Sequence, residues 1–253
     1  MTPDQSPGPI LEGRIALVTG ATRGIGRAIA LGFARAGAHV IAVGRTQGAL
    51  EELDDAVQSS GGERPTLVPL DLREGADIDR LGGVIYERWG RLDILVGAAG
   101  LLGVTTPVAH LDPRVWAQVI AVNLTANYRL IRSMDLLLRQ AEAARVVFLT
   151  SGAAARPRAF WGPYAASKAG LEALAAVYAD ETENTPIRIA VVNPGPMRTR
   201  MRAQAFPGED PLSLAAPEEI TPLILELVGP KSSPPSGVIS FPAWREAHPP
   251  PAV

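Results

Sequence analysis

Tyr164 and Lys168 stand four residues apart in a run with helical patterning, and a glycine-rich turn, Thr19-Gly20-Ala21-Thr22-Arg23-Gly24-Ile25-Gly26, lies far upstream. Residues i and i+4 share one face of a helix, so this spacing sets an ammonium beside a phenol. A free phenol is a poor acid or base near neutral pH. A neighbouring cation favours the phenolate and pulls its pKa down. The spacing therefore predicts a tyrosine tuned toward general acid–base work. Tyr-x-x-x-Lys alone is weakly specific; together with a dinucleotide-type turn it points to hydride transfer.

Those residues need a scaffold, and the rest of the chain supplies its pattern. Residues 14–20, 40–44, 66–70, 92–97, 145–150, 187–192 and 238–241 read as strands. Residues 24–36, 47–60, 75–89, 113–144, 164–183 and 217–228 read as helices, the fourth strand-to-strand connection having no internal proline from 114 to 144. The strands are continuously apolar rather than alternating, which predicts a parallel sheet covered by helices on both faces. No internal repeat or linker divides the chain, so residues 1–253 are expected to form one domain, ordered over about residues 10–245, with mobile proline-rich ends at 1–9 and 248–253.

Composition removes several classes of function. The 253 residues are 47% hydrophobic and carry a formal charge of −2, which gives no electrostatic reason to expect nucleic acid or an anionic membrane as a partner. There is no cysteine, so disulfides, thiolate metal sites and a thiol nucleophile are excluded. His39, His110 and His248 lack ligand spacing, and no metal is expected. Residues 1–9 lack the order of a signal peptide, and no apolar run approaches the ~20 residues of a bilayer span. A cytoplasmic protein is the expectation.

The glycine turn falls between the first strand and first helix, where backbone amides at Gly20, Gly24 and Gly26 and the helix N-terminus favour a pyrophosphate. A tight strand–helix turn is the plainer alternative. The spacing T-G-x-x-x-G-x-G, with Tyr164 and Lys168 downstream, resembles the classical short-chain dehydrogenase/reductase family over about residues 11–241. Val122-Asn123-Leu124 is similar to the family's mid-chain asparagine segment. Ser151 lies thirteen residues before Tyr164, the family spacing for its serine, and Pro194-Gly195-Pro196-Met197-Arg198-Thr199 resembles the P-G-x-x-x-T segment. The resemblance implies a Rossmann-type, doubly wound, mainly parallel seven-stranded sheet in three α/β/α layers and a nicotinamide cofactor. Beyond the turn (with Thr22, Arg23 and Ile25), it implies that the cofactor is bordered by Asp71, Leu72, Ala99, Gly100, Tyr164, Lys168, Pro194, Gly195 and Thr199, the threonine touching the carboxamide. The second strand ends Ala42-Val43-Gly44-Arg45-Thr46 with no carboxylate for a free ribose diol. Arg45, helped by Arg23, suits a 2′-phosphate, so NADP(H) is expected over NAD(H); solvated surface arginines are the alternative. Asp71 fits the adenine edge or a helix N-cap equally well.

By the same resemblance Tyr164 exchanges the proton, Lys168 holds the nicotinamide ribose, Ser151 polarises the substrate oxygen and Asn123 anchors a water that links Lys168 to solvent. Each has a structural alternative: Ser151 closing a strand, Asn123 satisfying backbone groups, Lys168 solvated on its helix. Two segments depart from the family. Gly97-Ala98-Ala99-Gly100 replaces Asn-Asn-Ala-Gly, whose asparagine amides tie neighbouring strands, so another group must satisfy that backbone. Phe241-Pro242-Ala243-Trp244 replaces a glycine-containing close.

Leu101, Leu102, Phe160, Trp161, Met197 and Met201 lie near these motifs and predict an apolar pocket, with residues 201–210 as a lid. Ordinary packing is the alternative for each. Reduction of free carbonyl compounds is favoured. A 3-oxoacyl-[acyl-carrier-protein] reductase is the runner-up, because Gln140-Ala141-Glu142-Ala143 and Asp180-Glu181-Thr182-Glu183 are acidic where relatives use basic residues to dock an acidic carrier. A non-catalytic NADP(H)-binding redox sensor is the reading from another class; such modules generally lack the tyrosine or lysine. The resemblance also implies a homodimer or homotetramer built on the alanine- and leucine-rich helices. Residues 198–202 and 205–211 look closest to a bacterial subgroup of the family whose substrates are unassigned.

Overall fold

Seven parallel strands form one sheet in the order β3-β2-β1-β4-β5-β6-β7 in the computed structural model, which describes residues 10–249. They are β1 (Ile15–Thr19), β2 (His39–Gly44), β3 (Thr66–Pro69), β4 (Ile94–Gly97), β5 (Arg145–Leu149), β6 (Arg188–Asn193) and β7 (Val238–Ser240). The expected α/β, doubly wound, three-layer architecture is what the chain adopts. The mobility expected for residues 1–9 and 250–253 concerns positions outside the described residues. β1, β4 and β5 are buried at every position, as continuous runs such as IALVT and RVVFL require when both faces are covered.

Side chains alternate along each strand and so divide the core in two. Ala16 and Val18 join Val40, Ala42, Val96, Val147 and Val192 on one face, under α1 (Gly24–Arg35) and α2 (Gln47–Ser59). Ile15 and Leu17 join Ile41, Leu95, Val146 and Phe148 on the other, under α3 (Gly75–Trp89). Each fully buried side chain of this size contributes about 1.5–3 kcal/mol. The strand order runs from β1 outward to β3, then returns to β4 on the other side. Loops leaving the carboxyl ends of β1 and β4 therefore diverge and open a crevice, the usual ligand position in such sheets.

The continuous helix predicted over 113–144 is interrupted. It is α4 (Pro113–Ile120), one π turn (Ala121–Thr125) and α5 (Ala126–Arg139). The π turn accompanies two hydrogen bonds that an ordinary helix would not place: the Asn123 side chain binds the loop after β4, and Asn127 Nδ2 donates to the Asn123 carbonyl at 2.8 Å. The helix stops at Arg139 rather than 144 because the chain must turn toward β5, and the Leu92 amide takes the Leu137 carbonyl at 3.1 Å. Past β5, the order is α6 (Gly152–Ala155), α7 (Gly162–Glu181), α8 (Arg200–Ala205), a 3-10 turn (Pro217–Ile220) leading into α9 (Thr221–Val228), and α10 (Phe241–Ala247). The last strand ends at Ser240, whose Oγ accepts from the Ala243 amide and caps α10, with Pro242 in the first turn.

The missing asparagines after β4 are replaced by Thr19 at the end of β1. Its Oγ1 accepts from the amides of Ala98 at 3.1 Å and Ala99 at 3.3 Å and donates to the Val96 carbonyl at 3.2 Å. A side chain at 97 has no room, because a Cβ there would overlap Asn127 Oδ1 and Phe148. Thr19→Val keeps the shape but strands these backbone groups. It is expected to lower unfolding free energy by about 1–3 kcal/mol, read from urea denaturation; unchanged stability would show that Thr19 does not tie the strands.

Candidate active site

Helix α7 brings the chemistry-bearing residues to the crevice. Trp161 precedes it and Pro163 sits in its first turn, where a missing N–H costs nothing. Its inner face buries Tyr164, Ser167, Lys168, Leu171 and Ala175. Ser167 Oγ donates to the Tyr164 carbonyl at 2.8 Å and accepts from Asn123 Nδ2 at 3.0 Å. Lys168 Nζ donates to the carbonyl of Leu149, the last residue of β5, at 2.7 Å and lies 5.9 Å from the Tyr164 ring centroid. Ser151, two residues beyond β5, caps α6 by accepting from the Ala153 amide at 3.2 Å. Ser151 and Tyr164 line the cleft, and Lys168 stands behind them, buried.

The electrostatics differ from what the i,i+4 spacing predicts. Burial raises the Tyr164 pKa above its ordinary value, with hydrogen bonding to Ser151 opposing it. Burial also lowers Lys168, to about 8, with the Glu172 carboxylate pulling it back up. Desolvation penalises whichever form is charged, and at this depth it dominates the phenol. Tyr164 is accordingly a neutral phenol at pH 7, beside a lysine that keeps most of its charge there.

Asn123 is fully buried, and its side chain is committed. Oδ1 accepts from the Leu101 amide at 2.8 Å, while Nδ2 donates to the Leu101 carbonyl at 2.9 Å and to Ser167. Both amide hydrogens are thus engaged, so the side chain clamps the loop after β4 to α7.

The glycine turn forms a cradle of the shape a dinucleotide pyrophosphate needs. Gly20 (φ 66°) and Gly24 (φ 54°) adopt the left-handed conformation that favours glycine. A Cβ on Gly20 would stand 2.9 Å from Ala99 Cα, and one on Gly26 would overlap the Gly20 carbonyl oxygen. Thr22 packs where a side chain on Gly44 would go, and the Thr199 methyl lies 3.4 Å from the Cβ position of Gly24. Arg23 starts α1 with no side-chain cap, leaving first-turn amides directed at the cradle. Ile25 and Gly195 line the cleft, and Gly100 places its Cβ position 3.8 Å from Lys168 Nζ. Pro194 is half-buried beside them, whereas Leu72 packs against the core beneath α3. Among the described residues Arg23 and Arg45 are exposed and make no ion pair. Asp71 caps no helix. Its carboxylate binds the Arg73 amide and guanidinium, and Arg73, with a smaller contribution from Arg45, holds its pKa below the usual range.

A cleft of about 410 Å³ extends from Tyr164 toward α8. Leu102, Trp161, Met197 and Met201 line it as expected. Leu101 does not, since its backbone is held by Asn123. Phe160 does not either: its φ of 73° turns the chain sharply, leaving Phe160 54% exposed while Trp161 enters the cleft. Residues 201–210 cover one side, where Arg202 pairs with Glu209 at 2.5 Å, lies 3.8 Å over the Phe206 ring, and Phe206 meets Trp161 at 5.8 Å between centroids. Sequence reading missed Arg156, Arg158, Asn193 and Pro242 in the lining. The first two were legible as members of the loop joining Ser151 to Tyr164.

The sequence and the fold agree with known proteins. The short chain dehydrogenase family matches residues 14–210. The oxidoreductase YciK of Escherichia coli (strain K12) is 40% identical over 222 residues, covering 87% of this chain and 88% of that protein. A short chain dehydrogenase structure from Pseudomonas syringae superposes with a TM-score of 0.88 at 40% identity, covering 92% of this chain and 95% of the other. Another, from Escherichia coli CFT073 and complexed with NADPH, gives a TM-score of 0.87 at 38% identity, covering 92% and 98%. The chain belongs to the short chain dehydrogenase family of oxidoreductases.

Proposed function

We propose that the protein is an NADP(H)-dependent reductase of small carbonyl compounds, working equally as the reverse dehydrogenase, with Tyr164 as the proton donor and acceptor. The observation that carries this reading is a neutral, cleft-lining phenol with a serine hydroxyl beside it and a buried lysine behind it. A nicotinamide cofactor held by the glycine turn, Lys168 and Thr199 would supply or accept the hydride. Tyr164 Oη gives its proton to the substrate oxygen as negative charge gathers there. Ser151 Oγ orients that oxygen and donates to it. Lys168, held in place by the Leu149 carbonyl, offsets the charge left on the phenolate. Apolar walls at Leu102, Trp161 and Met201 exclude water from the exchange.

Arg45 and Arg23, unpaired among the described residues at the ends of β2 and the glycine turn, support the 2′-phosphorylated cofactor, and the NADPH complex of the Escherichia coli CFT073 relative agrees. A carrier-protein substrate is disfavoured because Glu142, Asp180, Glu181 and Glu183 are exposed acids where such a partner would dock. A non-catalytic sensor is disfavoured by the retention of Tyr164 in the cleft wall and of Lys168 behind it. Tyr128 and Leu136 of α5 and Val177 of α7 expose apolar side chains, which supports a homodimer or homotetramer.

Tyr164→Phe removes the proton donor and little else. It is expected to lower kcat by about 10²–10⁴-fold while NADPH binding, read by fluorescence titration, persists; a variant of near-normal kcat would exclude the role. Arg45→Asp is expected to cut the NADPH-to-NADH ratio of kcat/KM by about 10–100-fold, and an unchanged ratio would remove Arg45 from cofactor selection. Lys168 is charged below its pKa of about 8 and loses that charge above it. The rate of reduction is therefore expected to fall as pH rises through about 8, and a flat profile from pH 6 to 9 would contradict a charged lysine in the step.

A further inference from the structure

We infer that the cleft selects a carbonyl compound bearing an anionic group, a carboxylate or phosphate, at its far end, and that Arg156 and Arg158 are the residues that read it. This rests on the reductase reading above and adds the substrate class. The lining contains three arginines and neither aspartate nor glutamate. Arg202 is neutralised by a two-point pair with Glu209, at 2.5 and 2.6 Å. Arg156 and Arg158 make no ion pair among the described residues, so the cleft keeps an uncompensated positive wall.

These cations serve a different end of the site from the cofactor arginines. Arg23 and Arg45 stand by β1 and β2, whereas Arg156 and Arg158 follow β5, on the opposite side of the β1/β4 divide. The loop that carries them is fixed in several places. The Arg156 amide donates to the Gly152 carbonyl at 3.0 Å, the Arg158 carbonyl accepts from the Trp161 amide at 3.2 Å, and the Phe160 carbonyl accepts from the Thr106 amide at 3.2 Å. Pro157 between the two arginines fixes a further backbone angle.

The physical consequence is a preference. Guanidinium forks bind carboxylate and phosphate through paired hydrogen bonds, and apolar walls around a cleft strengthen its field relative to open solvent. Leu102, Trp161, Met201 and Phe206 lie in the same wall and suit an apolar middle. The ligand that satisfies all three regions has its carbonyl at Tyr164, an aliphatic or aromatic stem, and its charge at Arg156 and Arg158. In reduction the carbonyl carbon gains hydride from NADPH, the oxygen gains the Tyr164 proton, and the anionic group takes no part in bonding changes.

The test compares 7-oxooctanoate with its methyl ester under NADPH in the wild type, in Arg156→Gln/Arg158→Gln, and in the charge-keeping Arg156→Lys/Arg158→Lys. The wild type is expected to favour the acid by at least about tenfold in kcat/KM, the preference narrowing as salt rises. The glutamine pair is expected to bring the ratio near one, and the lysine pair to keep part of it. A wild-type ratio of one or below, or a ratio unmoved by the glutamine pair, would overturn the inference. A second arm needs no turnover: octanoate, octyl phosphate and octanol are titrated against tryptophan fluorescence. Both anions binding at least about tenfold tighter than octanol, with the margin lost in the glutamine pair, supports the inference, and equal binding of all three overturns it. Anion-selective binding without turnover of either ketone would count against the reductase reading while leaving this one standing. Tyr164-dependent turnover with no acid preference would do the reverse.

Discussion

The site depends on one clamp, the side chain of Asn123. It holds both backbone groups of Leu101 and the hydroxyl of Ser167, and so fastens the loop after β4 to the inner face of α7. That loop forms the wall against which the glycine turn closes, since Ala99 meets Gly20. The inner face of α7 carries Tyr164 and Lys168. A single buried amide therefore sets the distance between the glycine turn and the Tyr164 phenol. The π turn rotates Asn123 into place, and Asn127 takes up its displaced carbonyl. An unpaired amide at that depth would cost about 1–3 kcal/mol.

Burial then decides the chemistry. Sequence spacing alone suggests a cation lowering the tyrosine pKa, but burial raises it, opposed by the hydrogen bond with Ser151. A protonated tyrosine is a better starting point for reduction than a phenolate, because it has a proton to give. In the proposed reaction Lys168 would supply the counter-charge that the phenolate needs after the transfer. The same burial that keeps the tyrosine neutral moves the lysine to about 8, within reach of physiological pH.

Much of this was legible in the sequence because local rules and tertiary demands coincide there. Continuously apolar strands fixed the parallel sheet, and the glycine turn was readable because only glycine fits left-handed backbone at Gly20 and Gly24 and the close approach at Gly26. Other features arise from contacts between distant segments. The break at Ala121–Thr125 comes from hydrogen bonds across the fold, and no propensity in that run announces it. Thr19 replaces absent asparagines nearly eighty residues away. Phe160 sits next to the site in sequence but faces out because its φ is positive, and Leu101 is drawn away by its own backbone bonds. The cleft arginines carry no motif, and only their place in the loop joining Ser151 to Tyr164 marked them.

The central claim is a phenol kept protonated by burial and placed to donate. It is tested most directly by titrating Tyr164 itself, with 13Cζ-labelled tyrosine followed by NMR and the signal assigned by its loss in Tyr164→Phe. The account predicts that this resonance titrates at higher pH than a free tyrosine. Titration near neutrality would show that the lysine, not burial, governs the tyrosine, and would contradict the account.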